Sequence, residues 1–298
     1  MHASSRQRAA LALLFVTPAL WSVNALIARK AVDIEPHLLA MTRWLLASLL
    51  FALGTHREIW AHRQQVRADW KHYLVLGALG MWICGAWVYL GGRSTSAANI
   101  GLIYSISPVL IVLASALWLG ERFRAPQALG VALALSGVLH VVLKGQWDAL
   151  AAVQFVPGDG WILAATLSWT VYSLLLRKWP SPLGAGARLA VISLAGALVN
   201  LPFALWEIAH SPVPVFTAEW AVLATIAAVI PGFGAYLAHS VMQRELGAAR
   251  VSVVLYLAPI YTAALAWLVL GEGLSGYHLW GLALVLPGIY LVTRTPSR

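Results

Sequence analysis

The sequence predicts an all-α membrane protein with ten transmembrane helices, arranged as two inverted five-helix repeats. Three observations predict this fold: the composition, the recurrence of long apolar segments and an internal repeat. The chain has 298 residues, of which 60% are hydrophobic and 10% are charged, whereas a soluble domain carries about 25% charged residues. A chain this apolar is typical of a protein whose surface faces lipid.

Apolar segments of about 20 residues, the length that crosses a bilayer as a helix, recur along nearly the whole chain. The first follows Arg6 and Arg8 and so resembles a signal peptide, but it continues to Ala28 and has a counterpart in the second half. We therefore expect a retained first helix. The ten predicted spans are residues 9–28, 38–54, 73–91, 97–118, 125–142, 160–177, 183–205, 219–241, 248–269 and 276–293.

The internal repeat matches residues 97–141 to residues 248–292 without a gap. In each copy a proline interrupts an apolar helix, a Gly-Glu ends it, and a second apolar helix carries two glycines on one face. Such a repeated pair of proline-interrupted helices is typical of transporters. The aligned pairs are Pro108 and Pro259, Gly120 and Gly271, Glu121 and Glu272, Gly130 and Gly281, and Gly137 and Gly288.

Because each repeat holds five helices, the second repeat enters the membrane from the opposite side. We place the first repeat at residues 1–145 and the inverted second repeat at residues 158–298. The earlier helices of the two repeats also align, although less closely. The aligned residues there are Trp21 and Trp169, Asn24 and Tyr172, Arg43 and Arg188, and Gly85-Ala86 and Gly234-Ala235.

The basic residues predict the orientation. The formal net charge is +9, but these residues lie in short loops and chain ends and form no single basic face, so we expect no nucleic-acid partner. Most of them fall on one side, which is the cytoplasmic side by the positive-inside rule. We therefore expect both termini in the cytoplasm and a location in the cell (inner) membrane. The single cysteine, Cys84, rules out an internal disulfide or a cysteine-based metal site, and we expect no cofactor.

A family resemblance rests on three features: Trp-Ser-Val-Asn at residues 21–24, Arg43 in the second helix, and the proline and Gly-Glu of the fourth helix. With its two five-helix halves, the chain resembles the drug/metabolite transporter superfamily, specifically the ten-helix EamA-type exporters. Within that branch it is similar to the YddG-type aromatic amino acid exporters. The resemblance implies export of small metabolites. Tyr172 replaces the asparagine in the second half, so the first helix of that half is not a functional copy.

Aromatic residues in the middle of the spans are the candidate binding residues. An aromatic residue at helical spacing usually serves packing, but this set comes from helices 1, 3, 4, 6, 8 and 9, which we expect to enclose the centre, with helices 5 and 10 outside. Aromatic walls suit an aromatic side chain or an ammonium group. The predicted substrate-binding residues are Trp21, Asn24, Tyr89, Tyr104, Trp169, Tyr172, Tyr236, His239 and Tyr256.

Pro108 and Pro259 are the predicted flex points, because a proline frees a backbone carbonyl and weakens a membrane helix. We expect Glu121 and Glu272 to cap the helices that follow them, not to carry protons. The glycines of helices 5 and 10 predict close helix packing or a dimer contact.

Arg43 and Arg188 are the charges inside the predicted spans, and the sequence allows two interpretations of them. Either the long side chains reach the interface, or they bind a substrate carboxylate. Acidic residues are almost absent from the interiors of the spans, whereas ion-coupled carriers usually need one there. This absence favours facilitated transport, although His140 and His239 could titrate near neutral pH.

These observations predict a transporter, not an enzyme, that exports amino acids by alternating access through a central cavity as the two halves rock. Its partners are the small-molecule substrate and membrane lipid, and the chain is a monomer or weak dimer. The alternative is a proton-coupled exporter of drugs, quaternary cations or other metabolites. A lipid-modifying membrane enzyme is a third hypothesis, but the sequence has no HExxH motif, no cysteine nucleophile and no cluster of acids with histidines.

Overall fold

The computed structural model describes residues 5–95, 97–120, 124–270 and 275–294, and nearly all of them are helical. Ten long helices occupy these ranges, and each of the ten predicted spans falls within one of them apart from a residue or two. A short helix, Arg63–Ala68, interrupts the polar connection between α2 and α3, and a 3₁₀ helix, Trp147–Ala152, lies between α5 and α6. The uninterrupted helices are α1 (Ser5–Lys30), α2 (Pro36–Ala61), α5 (Ala125–Val142), α6 (Pro157–Lys178), α7 (Ala185–His210) and α10 (Gly276–Arg294).

The third and fourth helices of each half are composite. Helices α3 and α8 each contain a π-helical stretch, which includes the aligned Gly-Ala pair. Helix α4 breaks at Ile106, and α9 contains a 3₁₀ stretch. Their segments are Trp70–Gly77, Ala78–Trp87 and Val88–Gly92 in α3, Ala97–Ser105 and Ser107–Leu119 in α4, Ala218–Ala227, Ala228–Ala235 and Tyr236–Leu246 in α8, and Ala248–Ser252, Val253–Leu257 and Ala258–Leu270 in α9.

Nine of the described helices are long and apolar enough to cross a membrane, so the chain is a multi-pass membrane protein. Helix α6 is long enough to cross a membrane, but it is not apolar enough to be counted among these nine. Its ends carry Asp159, Arg177 and Lys178, and its middle is rich in serine and threonine. Because Ile162 and Ala165 of α6 are fully buried, this helix is largely enclosed by protein and needs less apolar surface than a helix in lipid.

The helix boundaries follow from local sequence. Proline lies in the first turn of α2, α5 and α6, where its missing N–H leaves no hydrogen bond unmade. Helix α4 ends at Gly120, whose φ of +66° lies in the left-handed region that favours glycine. Glu121, Gly271 and Glu272 lie outside the described residues, so the predicted capping by the two glutamates stays a prediction.

Helices α2 and α7, which hold the same place in the two halves, pack together in antiparallel fashion. At one end Glu207 accepts hydrogen bonds from the amides of His37 and Leu38. Near the middle Ser48 donates to the carbonyl of Ala190 at 2.8 Å. At the other end of the pair, the α2 residue Glu58 accepts a hydrogen bond from the amide of Gly184, the residue just before α7.

Helices α5 and α10 repeat this arrangement through their glycines. A Cβ added to Gly130 would lie 2.6 Å from the carbonyl oxygen of Gly288, and one added to Gly137 would lie 2.7 Å from that of Gly281. The earlier glycine of each helix meets the later glycine of the other, which requires antiparallel helices related by a two-fold axis. The predicted inverted repeat is therefore confirmed, and these glycines serve close packing within one chain.

The first helices are exchanged between the halves. Helix α1 packs on α8 and α9 of the second half, and α6 packs on α3 and α4 of the first half. The structure thus has a first bundle (α1, α8, α9) and a second bundle (α3, α4, α6). Helices α1 and α6 therefore each pack in the bundle of the opposite half, and the rocking of the two halves stays a prediction.

Two ends of the molecule can be distinguished by the contacts between helix termini. At the Asp159 face, Asp159 at the start of α6 accepts hydrogen bonds from Thr95 and Asn99 near the start of α4. At the Asp69 face, next to the short helix before α3, Tyr73 and Ser181 lie 3.1 Å apart through their hydroxyl groups. Under the predicted orientation the Asp69 face is cytoplasmic.

Candidate functional site

Six aromatic side chains from α1, α2, α6 and α8 contact one another where the two bundles meet. Trp21 and Trp169 meet edge to face with ring centroids 5.5 Å apart, and Tyr236 lies 6.0 and 5.7 Å from them. His239 lies 5.1 Å from Trp21 and 5.2 Å from Trp169. Edge-to-face contacts of this kind are favoured by the ring quadrupoles. We call this set the central aromatic cluster: Trp21, Trp44, Trp169, Tyr172, Tyr236 and His239.

The π-helical stretch of α3 supports the cluster through its backbone. A π-helical turn leaves carbonyl groups without their usual partner in the helix, and here side chains supply one. Tyr236 donates to the carbonyl of Gly80 at 3.1 Å, and Ser168 of α6 donates to the carbonyl of Leu79 at 2.9 Å. The ring of Tyr172 lies against Gly80, where an added Cβ would come within 2.7 Å of it. The second bundle therefore positions Tyr236 of the first bundle.

A guanidinium group lies next to the cluster. Arg43 of α2 is 3% exposed, and its Nη1 donates to Asn24 Oδ1 at 3.0 Å and to the Tyr89 hydroxyl at 3.4 Å. The Tyr89 hydroxyl in turn donates to Asn24 at 2.9 Å. The guanidinium carbon lies 4.5 Å from the ring centre of Trp44, and Trp44 meets Tyr236 at 4.7 Å. Arg43 is thus buried at the site and does not extend to the interface.

Arg188, the residue aligned with Arg43, has a different environment. Its guanidinium donates to the carbonyls of Leu176 and Trp179, at the last turn of α6. These carbonyls have no partner within the helix, so Arg188 acts as a helix cap. The two aligned arginines therefore have different roles, one at the centre and one near the Asp69 face.

The structure brings seven of the nine predicted binding residues to this site, either in the cluster or around Arg43. Tyr256 is not among them: it is 1% exposed and lies in a separate core with Val112 and Ile289. Tyr104 is partly buried on α4, two residues before the break at Ile106. The binding roles of all nine residues stay predictions, but Tyr256 lies apart from the others.

The sequence analysis missed three residues: one in the central aromatic cluster and two that join helices around it. Trp44 is adjacent to Arg43 and lies in the middle of a span, which was a usable signal. Glu207 lies near the end of α7, and its link to α2 has no signature in the sequence of either helix. Asp159 likewise joins α6 to α4 only in the folded chain. Burial raises the pKa of Asp159, but hydrogen bonds from Thr95, the Val156 amide and Asn99 together outweigh it and hold that pKa below its usual value.

The fold and this site define an inverted-repeat membrane transporter, with polar and aromatic groups held where the repeats meet. The chain belongs to the EamA-like transporter family, whose model matches residues 8–143 and 156–294. It is therefore a transporter by family and by fold.

Named relatives are similar to this chain over nearly its full length. The aromatic amino acid exporter YddG of Ancylobacter novellus is 28% identical over 95% of this chain and 96% of its own. An uncharacterized transporter of Archaeoglobus fulgidus is 27% identical over 94% of this chain and 96% of its own. A solved crystal structure of a protein superimposes with a TM-score of 0.78, covering 97% of each chain at 22% identity, and that likeness shows the fold alone.

Proposed function

We propose that the protein exports small metabolites, amino acids in particular, across the cell (inner) membrane by alternating access. The observation that carries this proposal is the central aromatic cluster, which lies between the two bundles and is built from both. Aromatic faces take apolar and aromatic side chains, and they also attract an ammonium group. The similarity to a relative named as an aromatic amino acid exporter supports the same substrate class and the outward direction.

The proposed motion is a swing of the first bundle against the second around the cluster. Trp21 and Trp169 meet across the boundary of the bundles, so a solute passes only when their rings separate. Helix α4 breaks one residue before Ser107-Pro108, and the 3₁₀ stretch of α9 ends one residue before Ala258-Pro259. These equivalent breaks support the proposed flexing at Pro108 and Pro259.

We further propose that transport is facilitated and not driven by a proton gradient. Every acidic residue that the structure describes lies in a loop or within the first or last turn of a helix. A carrier that moves protons with its substrate usually places a carboxylate inside the membrane. The buried charge of Arg43 also disfavours the alternative of a drug or quaternary-cation exporter, since like charges repel in a medium of low polarity.

The test is counterflow in proteoliposomes, with phenylalanine, tyrosine and a panel of other amino acids, with and without a pH gradient. We expect exchange of unmodified phenylalanine that needs no metal or cofactor, does not depend on the gradient, and is not inhibited by quaternary cations. If no amino acid is exchanged, the proposed substrate class is wrong. If exchange requires the proton gradient, the facilitated mechanism is wrong.

A further inference from the structure

We infer that Arg43 anchors the carboxylate of the transported solute, so that the substrates are organic acids with a free carboxylate, zwitterionic amino acids among them. This inference rests on the proposed function and adds the group that the site recognises. It begins from the charge of Arg43, which is buried beside neutral groups. Its guanidinium bonds to Asn24 and Tyr89 and lies over the ring of Trp44.

A buried cation needs a counter-charge. An isolated charge inside a membrane protein is costly unless it pairs with an opposite charge or faces a polar path. In the part of the chain that the structure describes, the ion pairs involve His37, His72 and Arg93, and none of them involves Arg43. A negatively charged solute would supply the missing charge each time it binds.

The hydrogen-bonding geometry leaves part of the guanidinium without a partner in the ranges that the structure describes. Both side-chain bonds of Arg43 leave from Nη1, and its Nε is buried without a hydrogen-bond partner among the described residues. Nε and Nη2 form the edge that holds a carboxylate by two parallel N–H···O bonds. Moreover, Asn24 and Tyr89 already bond to each other, so their contact does not require the arginine.

Two unpaired groups of the cluster are also donors. The indole Nε1 atoms of Trp44 and Trp169 are buried without hydrogen-bond partners in the described part of the chain, and an indole N–H can only donate. Arg43 Nε and these two indole nitrogens are therefore three buried donors, in or beside the cluster, without a partner among the residues described. Such donors match a ligand group that only accepts hydrogen bonds, which is the property of a carboxylate.

Transport selectivity tests the inference. Proteoliposomes would be assayed for counterflow of phenylalanine and of phenylalaninamide, in which the carboxylate is replaced by a neutral amide. The variants are Arg43→Gln, Arg43→Lys as the conservative change, and Arg188→Gln as a matched control that removes the aligned, partly buried arginine outside the cluster. Thermal unfolding in detergent shows which variants are folded.

We expect the original protein to prefer phenylalanine, and Arg43→Gln to lower that preference by roughly 10- to 100-fold, the effect of losing hydrogen bonds to a charged group. Arg43→Lys should retain part of the preference, and Arg188→Gln should leave it unchanged. If Arg43→Gln lowers the counterflow of phenylalanine and of phenylalaninamide by the same factor, Arg43 has a purely structural role and the inference is wrong. Phenylalanine transport by the original protein would still support the proposed function in that case.

Binding in detergent tests the inference without any transport. Tryptophan fluorescence would be titrated with 3-phenylpropionate and with 3-phenylpropanol, which has a hydroxyl group in place of the carboxylate. We expect quenching by the acid alone, and its loss in Arg43→Gln. Equal responses to both probes overturn the inference whatever the transport assay shows. A response to chloride alone that matches the response to the acid would assign the site to an inorganic anion and also overturn it.

Discussion

At the scale of single residues, Arg43 and Arg188 show why the sequence alone did not settle the roles of two aligned arginines. Both are arginines at aligned positions inside predicted spans, and depth along a helix is all that the sequence supplies. Whether such a side chain turns inward or reaches the interface depends on residues of other helices. In the structure Asn24 and Tyr89 face Arg43, whereas Arg188 meets the carbonyl groups that end α6.

Gly80 offers a test at this scale, because its lack of a side chain lets Tyr172 pack on the α3 backbone. We expect Gly80→Ala to lower the free energy of unfolding by about 1–3 kcal/mol, the usual effect of an extra methyl group in a packed core. We also expect weaker substrate binding, since Tyr172 must move. Thermal unfolding in detergent and ligand titration measure the two effects.

The matched control is Gly54→Ala in α2, where nothing lies within 4 Å of the added Cβ. This change should be neutral or stabilising by up to about 1 kcal/mol, because alanine favours a helix more than glycine does. If the two alanine variants have the same unfolding midpoint, the proposed packing of Tyr172 on Gly80 is wrong.

At the scale of elements, hydrophobic runs and prolines predicted the helices well, while departures from regular helix were predicted only in part. The ten spans were found because apolar length alone marks a membrane helix. The prolines marked α4 and α9, whose irregular positions lie just before them. The π-helical stretch of α8 contains Pro231, but that of α3 contains no proline. The α3 stretch has partners from other helices, such as the Tyr236 hydroxyl on the Gly80 carbonyl.

The prolines provide the prediction at this scale. The double variant Pro108→Ala/Pro259→Ala should restore a backbone hydrogen bond in each broken helix, each worth about 1 kcal/mol. If the breaks must flex during transport, turnover should fall by about tenfold while substrate binding changes little. Counterflow rates and ligand titration measure these quantities.

Pro287→Ala is the control, because Pro287 lies inside α10, which packs on α5 away from the cluster. This variant should transport at the original rate. Full transport by the double variant would remove Pro108 and Pro259 from the mechanism.

At the scale of the whole molecule, the pair α2 and α7 holds the two bundles together. Helix α2 contacts α3 of the second bundle and α8 of the first bundle, and it is joined to α7 at both ends. The sequence predicted the inverted symmetry from an odd number of helices per repeat. It did not predict the exchange of α1 and α6, because spacing along a chain does not state which distant helices pack together.

Glu207 tests this connection. Its carboxylate accepts from the amides of His37 and Leu38 and lies 2.6 Å from the His37 ring nitrogen. We expect Glu207→Gln to lower the free energy of unfolding by about 1–3 kcal/mol, because buried donors lose a charged acceptor. Glu219→Gln, a change at an exposed residue near the start of α8, should change it by less than about 0.5 kcal/mol. Similar unfolding midpoints for the two variants would show that Glu207 does not hold α2 to α7.

The reciprocal glycine contacts of α5 and α10 have a consequence for how this molecule tolerates change. In a homodimer of one half, symmetry would force every substitution to occur twice, once on each side of the axis. A single polypeptide that carries both copies is free of that restriction. One copy can therefore keep Arg43 buried at the centre while the other copy uses Arg188 to cap α6. The two halves share one architecture, yet the centre of the molecule is asymmetric.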